Sequence, residues 1–328
     1  ELTSFLPSRI WSVPPSIRTA GGGYDFEMEA LEGMDAAIVE CPATEEGFIA
    51  AAPNADAVYA KGMKFTRRMI DALTKCKAIV LGTVGVDYVD VDAATAKGIP
   101  VTNCPDTFIE EVADHAMMLL LATHRRCIEQ DRMVREGRWG EGRPQLLQIP
   151  RLMGLTLGFI SFGRVARQVA KRARPFGLHM LAYDPFVQEL VMSDYGVEPA
   201  TLSEVLSQSD FVSMHAPDTA RTRRMLTDRH FAQMKKTAIF INTGRGPTVD
   251  EAALIAALGG KRIAGAGLDV YDSEPLPAGH PLRALDNVVL SPHLGFVTEG
   301  TYRAFYGDMV ECIAAWRAGA PVRLLRAA

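Results

Sequence analysis

Short runs of β-branched and other apolar residues alternate with amphipathic stretches along most of this 328-residue chain. Such alternation predicts parallel strands covered by helices, an α/β fold. In the N-terminal third, Ala37–Glu40, Ala57–Ala60, Ala78–Leu81 and Val101–Asn103 read as strands. Thr66–Leu73 and Val91–Lys97 carry helical spacing between them, and Gly98-Ile99-Pro100 stops the second. One long helix is then predicted from Ile109 to about Gly137. Its middle, Ala116 to Ala122, is apolar on every face and should be buried all round. Two readings of that segment stay open, a core helix of a large domain and a helix beneath a subunit interface.

From Thr156 the alternation is regular. Strands are predicted at Thr156–Ile160, Met180–Tyr183, Phe211–His215, Ala238–Asn242, Ile263–Val270 and Val288–Leu290. Helices fall at Arg164–Phe176, Leu202–Ser207, Asp228–Lys235 and Asp250–Ala257. Six strands of this kind predict a doubly wound nucleotide-binding sheet. Glu299–Arg317 reads as one amphipathic helix carrying Tyr302, Phe305, Val310, Ile313 and Trp316.

Composition narrows the classes of partner. Hydrophobic residues make up 48% of the chain, enough for two domains. A net charge of −4 and scattered basic pairs argue against nucleic acid and anionic membranes. Ala116–Ala122, the longest strongly apolar run, falls far short of the roughly 20 residues of a membrane span. Five cysteines without a C-x-x-C pair suit a reducing, cytoplasmic setting better than disulfides or zinc. The chain opens at Glu1 rather than methionine, and no signal-peptide pattern stands in the stretch given. His115, His124, His179, His230 and His280 lack metal-ligand spacing and read as structural, so no metal site is expected.

Between a predicted strand and helix lies Gly158-Phe159-Ile160-Ser161-Phe162-Gly163-Arg164-Val165-Ala166. Aligned to the dinucleotide fingerprint G-x-G-x-x-G/A, its three positions are Ser161, Gly163 and Ala166. Gly163 would let the main chain approach a pyrophosphate held on the helix N-terminus, with Phe162, Arg164 and Val165 alongside. Ala166 is small enough for close helix–strand packing, whereas Ser161 departs from the glycine that normally makes the turn. Asp184 ends the next strand, roughly twenty residues on, where an acid accepts hydrogen bonds from the adenosine ribose. It would repel a 2′-phosphate and so favour NAD over NADP; the alternative is a turn aspartate before Pro185.

Three later segments carry polar groups where strands of such a sheet end: Asn242-Thr243-Gly244-Arg245-Gly246, Asp269 to Pro275, and Ser291-Pro292-His293-Leu294-Gly295. Together with Leu81 to Asp90, Asp92 to Ile99 and Glu110 to His115, they match, in order, the motifs of one family. The chain resembles the D-2-hydroxyacid dehydrogenases, the family of phosphoglycerate dehydrogenase, glyoxylate reductase and D-lactate dehydrogenase, from about Tyr24 to Leu325.

The resemblance implies two doubly wound parallel-sheet domains, a Rossmann-type nucleotide domain (104–296) inserted in a smaller flavodoxin-like substrate domain (1–103 and 297–328). It implies NAD as cofactor and a small 2-oxo or 2-hydroxy acid as substrate; a homodimer is expected from the apolar segment Ala116–Ala122, placed in or beneath its interface. Arg245 would grip the substrate carbonyl and carboxylate with its planar fork. His293 would donate or accept the proton, and Glu274 would hold the far ring nitrogen and favour the imidazolium. Val84 and Gly85 would bind the substrate carboxylate through the backbone. Lys61 stands where many relatives carry an arginine, either reaching a distal anionic group or simply solvated. His215, Pro217, Thr243 and His293 would line the cofactor, and Asp269 would meet the nicotinamide carboxamide. Two further functions remain open, reduction of an imino acid and cofactor sensing on the same scaffold.

Overall fold

The computed structural model describes residues 8–12, 29–33, 36–42, 44–60 and 63–325, without the side chains of 8–12, 37, 38, 40 and 145. Lys61 therefore lies outside the described residues. The chain divides into two units, one holding the residues up to Thr107 and those from Thr298 onward, the other running from Phe108 to Val297.

In the first unit five parallel strands, β1 (Ser8–Ser12), β2 (Ala36–Glu40), β3 (Ala57–Ala60), β4 (Ala78–Leu81) and β5 (Val101–Thr102), pair in the order β2-β1-β3-β4-β5. Every residue of β3 and β4 is buried, as continuous apolar strands require when both sheet faces are covered. Phe48, Phe65, Met69 and Ile70 pack on one side. Helix Glu299–Arg317 returns from the far end of the sequence to pack on β4, with Phe305 and Tyr306 against Tyr59. Beyond it, Leu325 N–H donates to the Val101 carbonyl at 2.8 Å. That helix buries Phe305 and Ile313 as expected, together with Tyr306, Met309 and Cys312, whereas Tyr302, Val310 and Trp316 are only partly buried, so the apolar face is turned somewhat from the expected one.

The second unit is a seven-stranded parallel sheet made of β6 (Thr156–Ile160), β7 (His179–Tyr183), β8 (Glu198–Pro199), β9 (Phe211–Met214), β10 (Ile239–Asn242), β11 (Gly265–Leu268) and β12 (Val288–Leu290). Their order is β12-β11-β10-β9-β6-β7-β8. Successive residues of β10 serve opposite cores: Ile239 and Ile241 face one cluster, Phe240 the other. Chain direction across the sheet reverses between β6 and β9, and ligands of such sheets bind at the strand carboxyl ends beside that reversal. Ser161, His215, Thr243 and Asp269 each follow one of these strands directly.

Several expectations are corrected. The predicted helix 109–137 is two helices, Ile109–His124 and Cys127–Arg135, because Arg126 adopts a left-handed φ of 50°. No glycine or proline marks that break. Within the first of them Met118 is 43% exposed, so the apolar run is not covered on every side within one chain. The nucleotide sheet gains β8, a two-residue edge strand, and the strand expected at 263–270 shortens to Gly265–Leu268.

Candidate active site

The phosphate loop begins where β6 ends. Ser161 takes φ +71, the left-handed conformation for which glycine is the usual choice, so the turn survives the substitution. Gly163 caps helix Arg164–Ala173, whose first-turn amides have no partner within the helix. A Cβ built on Gly163 would meet no protein atom within 4 Å, so the space before it is open to a pyrophosphate. Phe162 differs from expectation. Its side chain is fully buried, and its N–H goes to Asp184 at 2.8 Å rather than toward a ligand.

Asp184 makes the turn contact and ties down the phosphate loop as well. Its Oδ1 accepts the Phe186 N–H at 2.8 Å, a turn contact two residues on. Its Oδ2 accepts the Ser161 hydroxyl at 3.1 Å and the Phe162 N–H at 2.8 Å, tying the phosphate loop to β7. Each carboxylate oxygen takes about two donors, so Oδ1 keeps room for one ribose hydroxyl.

Further along the sheet edge, desolvation holds the His215 imidazole down to about 4, and Ser213 Oγ sits 2.8 Å from its Nε2. The ring is thus neutral at physiological pH and can line a ligand without charge. Pro217 is exposed just beyond it. Thr243 is 9% exposed, and its hydroxyl is buried with no hydrogen-bond partner among the described residues. An orphaned donor at the carboxyl end of a strand of this sheet fits a bound dinucleotide.

Arg245 stands on a loop fixed from several directions. Its carbonyl accepts from Asn242 Nδ2 at 3.2 Å and Thr248 Oγ1 at 2.6 Å, and its Nη1 donates to the Gly244 carbonyl at 2.8 Å. Gly246 next to it has no substitute, since a Cβ would lie 2.0 Å from the Tyr271 carbonyl. The arginine loop therefore packs directly on the backbone of the loop bearing Glu274.

Glu274 and His293 meet through Oε2 and Nδ1 at 2.6 Å. The other carboxylate oxygen accepts the Tyr271 N–H at 3.0 Å, which aims it. Tyr271 also donates its hydroxyl to the Ser291 carbonyl at 2.8 Å, binding the two loops together; burial pushes that phenol well above its ordinary range. Because Glu274 only accepts, His293 presents a protonated Nδ1 to it and keeps Nε2 for chemistry.

Asp269 has contacts that its expected place at the cofactor did not suggest. Its side chain is 3% exposed. It accepts from Ser291 Oγ, from Leu294 N–H at 3.1 Å and from Gly295 N–H at 3.0 Å. Burial opposes its ionisation, but donors from His115, Ser291 and Gly295 outweigh that and hold the carboxyl below its usual range. Its Oδ1 is committed to the histidine loop, while Oδ2, which accepts the Gly295 N–H, keeps room for another donor. The sequence alone gave no sign of this, because the donors are mostly backbone amides.

In the first unit, the Thr83 carbonyl accepts from Cys104 N–H at 3.1 Å and the Val84 carbonyl from Asn103 Nδ2 at 2.8 Å. In a trans peptide the N–H points opposite to the C=O, so the amides of Val84 and Gly85 both turn away from Asn103–Cys104. Two neighbouring donors so arranged suit a carboxylate. No group of His, Cys, Asp and Glu among the described residues could hold a metal, and none of their helices is long and apolar enough to cross a membrane.

The protein-family model described as "D-isomer specific 2-hydroxyacid dehydrogenase, NAD binding domain" matches residues 117–295. The chain belongs to that family. It is accordingly an NAD-dependent oxidoreductase interconverting 2-oxo and D-2-hydroxy acids. It is similar to a glyoxylate reductase of Korarchaeum cryptofilum, 41% identical over 252 residues that cover 76% of each chain. It is also similar to a D-3-phosphoglycerate dehydrogenase of Methanocaldococcus jannaschii, 38% identical over 86% of this chain but only 53% of that one. Among solved structures, an acyclic imino acid reductase in complex with NADPH and D-Arg superposes with a TM-score of 0.86 at 26% identity, over 97% of this chain and 100% of that one.

For this dehydrogenase, Asp184→Ala is expected to cost more than ribose recognition, because the phosphate loop loses its tether as well. Hydrogen bonds to a charged group contribute about 1.5–3 kcal/mol, so NADH affinity should fall roughly 10- to 100-fold. Any preference for NADH over NADPH should narrow. Fluorescence titration measures both, and unchanged NADH binding would remove Asp184 from the cofactor site.

Proposed function

We propose that Arg245, Glu274 and His293 carry the reaction of this dehydrogenase, with the substrate carboxylate held by the Val84 and Gly85 amides. The cofactor would lie along Ser161, Gly163, Arg164 and Val165, with Asp184 at the adenosine ribose and His215, Pro217, Thr243 and His293 lining its length. When bound, it supplies the hydride in reduction and accepts it in oxidation. Arg245 binds the 2-oxo group and carboxylate and stabilises negative charge growing on the carbonyl oxygen. His293 gives the proton to that oxygen from Nε2, or takes it back in the other direction. Glu274 keeps the ring in the required tautomer and offsets the imidazolium charge. The observation that carries this reading is the 2.6 Å contact between His293 Nδ1 and Glu274 Oε2 on a loop packed against that of Arg245.

A panel of 2-oxo acids assayed with NADH and with NADPH tests it. Reduction of a small 2-oxo acid, faster with NADH, is the expected result. Turnover of an imino acid and of no 2-oxo acid would move this chain to the activity named for its imino acid reductase neighbour.

We further propose a homodimer built on the second unit. Met118, Ile128, Val134, Trp139 and Leu147 are 43%, 55%, 56%, 81% and 78% exposed in one chain, along two successive helices and the segment after them. Large apolar groups left in water in series mark a protein contact. Light scattering should give a dimer mass, and Trp139→Glu should shift it toward monomer. A monomer mass for the parent at micromolar concentration ends the proposal. Five cysteines free of disulfides among the described residues suit a reducing, cytoplasmic setting.

A further inference from the structure

His115 projects from helix Ile109–His124 to the underside of the histidine loop. Its Nε2 lies 2.7 Å from Ser291 Oγ and 3.4 Å from Asp269 Oδ1. The donors in this chain can be ordered. An ionised carboxylate only accepts, so the Ser291 hydroxyl donates to Asp269 Oδ1. Having spent its one proton there, Ser291 Oγ accepts from His115, which must carry a proton on Nε2.

Asp269 then gathers donors from both sides of His293. Ser291 stands two residues before it, and the Leu294 and Gly295 amides follow it. His293 itself has φ 56, a left-handed conformation that a residue with a side chain keeps only when its surroundings hold it. Gly295 makes the close approach feasible: a Cβ there would stand 2.9 Å from Asp269 Oδ2 and 3.2 Å from the His115 ring.

We infer that His115 is a positioning residue for His293, acting through the Ser291 hydroxyl and the Asp269 carboxylate to fix the backbone that aims the reacting ring. The inference rests on His293 being the proton-transfer group. Packing alone would ask only for a side chain of similar size, whereas this role asks for a donor at the Nε2 position. His115→Leu keeps bulk and removes the donor. His115→Gln keeps an N–H able to reach Ser291 and removes the ring.

The test compares both variants and His293→Ala with the parent, using NADH and whichever 2-oxo acid the parent reduces best. Misplacing a reacting group by about an ångström can cost on the order of a hundredfold in rate. His115→Leu should therefore lose roughly 10- to 100-fold in kcat, with KM, NADH affinity and Tm near those of the parent. His115→Gln should recover most of that loss. Parent-like kcat in His115→Leu, beside an inactive His293→Ala, overturns the positioning role alone. Equal losses in the Leu and Gln variants, accompanied by lower Tm and weaker NADH binding, reduce His115 to packing and overturn it too. Near-normal turnover in His293→Ala, or no 2-oxo acid reduced by the parent, overturns the proposed function and this inference with it.

Discussion

Arg245→Ala is expected to lower kcat/KM for a 2-oxo acid by about a thousandfold or more, with KM raised and NADH affinity kept. Removing a single neutral donor from a developing oxyanion typically costs about 10²–10³ in kcat. Arg245 supplies a full positive charge as well as donors, and it grips the ground-state carboxylate, so both kcat and KM should respond. Its backbone is held through its carbonyl by Asn242 and Thr248, contacts that an alanine retains. The loop should keep its shape, and Tm should stay near that of the parent. Arg245→Lys is the informative companion: it restores charge without the planar fork and should recover only part of the loss. Steady-state kinetics in which Arg245→Ala keeps the parent KM and stays within tenfold of its kcat would take the arginine out of the site.

His293→Ala should lower kcat by about 10²–10⁴, the usual worth of a positioned acid or base. NADH affinity should fall far less than kcat, because the imidazole's chief task is the proton and it is one of several groups lining the cofactor. Glu274→Gln should be milder, since the amide can still meet Nδ1 but no longer offsets the imidazolium charge. The double variant His293→Ala, Glu274→Gln should be little worse than His293→Ala alone, because the glutamate acts through the ring. Single-turnover rates with saturating NADH separate the proton-transfer defect from any change in binding. A His293→Ala enzyme that turns over normally would sink the assignment and bring imine reduction forward, since an already protonated imine needs no such acid.

The sheet of the second unit was readable because its strands are short, apolar and evenly spaced by helices, a pattern both cores impose. What escaped lay where that pattern is weak. β1 carries its apolar Ile10 and Trp11 side by side rather than in alternation, and β8 is two residues long with a proline. Helix Glu45–Ala51 is short and includes Gly47, although Thr44 caps it. The break at Arg126 has no sequence mark at all, because an arginine in the left-handed region is an outcome of packing. The site shows the same division. The meeting of Glu274 with His293, on a loop packed against that of Arg245, could be read from side-chain chemistry in family order. Asp269 and Phe162 could not be placed, since backbone donors and acceptors decide their roles and any residue supplies those.

The return of the last helix to the first unit sets an order in which this protein can assemble during synthesis. Thr107 and Asp308 are hydrogen-bonded across 201 positions of chain. Phe305, Tyr306, Met309 and Ile313 reach their places only after that interval. Burying each such side chain contributes about 1.5–3 kcal/mol, and four together rival the entire ~5–15 kcal/mol that stabilises a typical domain. While the ribosome is still making the middle of the chain, β3 and β4 have one face uncovered. The second unit meets no such delay, because all its strands are contiguous in sequence. It is therefore expected to complete without that wait, whereas the first unit closes only once helix Glu299–Arg317 has been made, a long-range contact of the kind that slows folding.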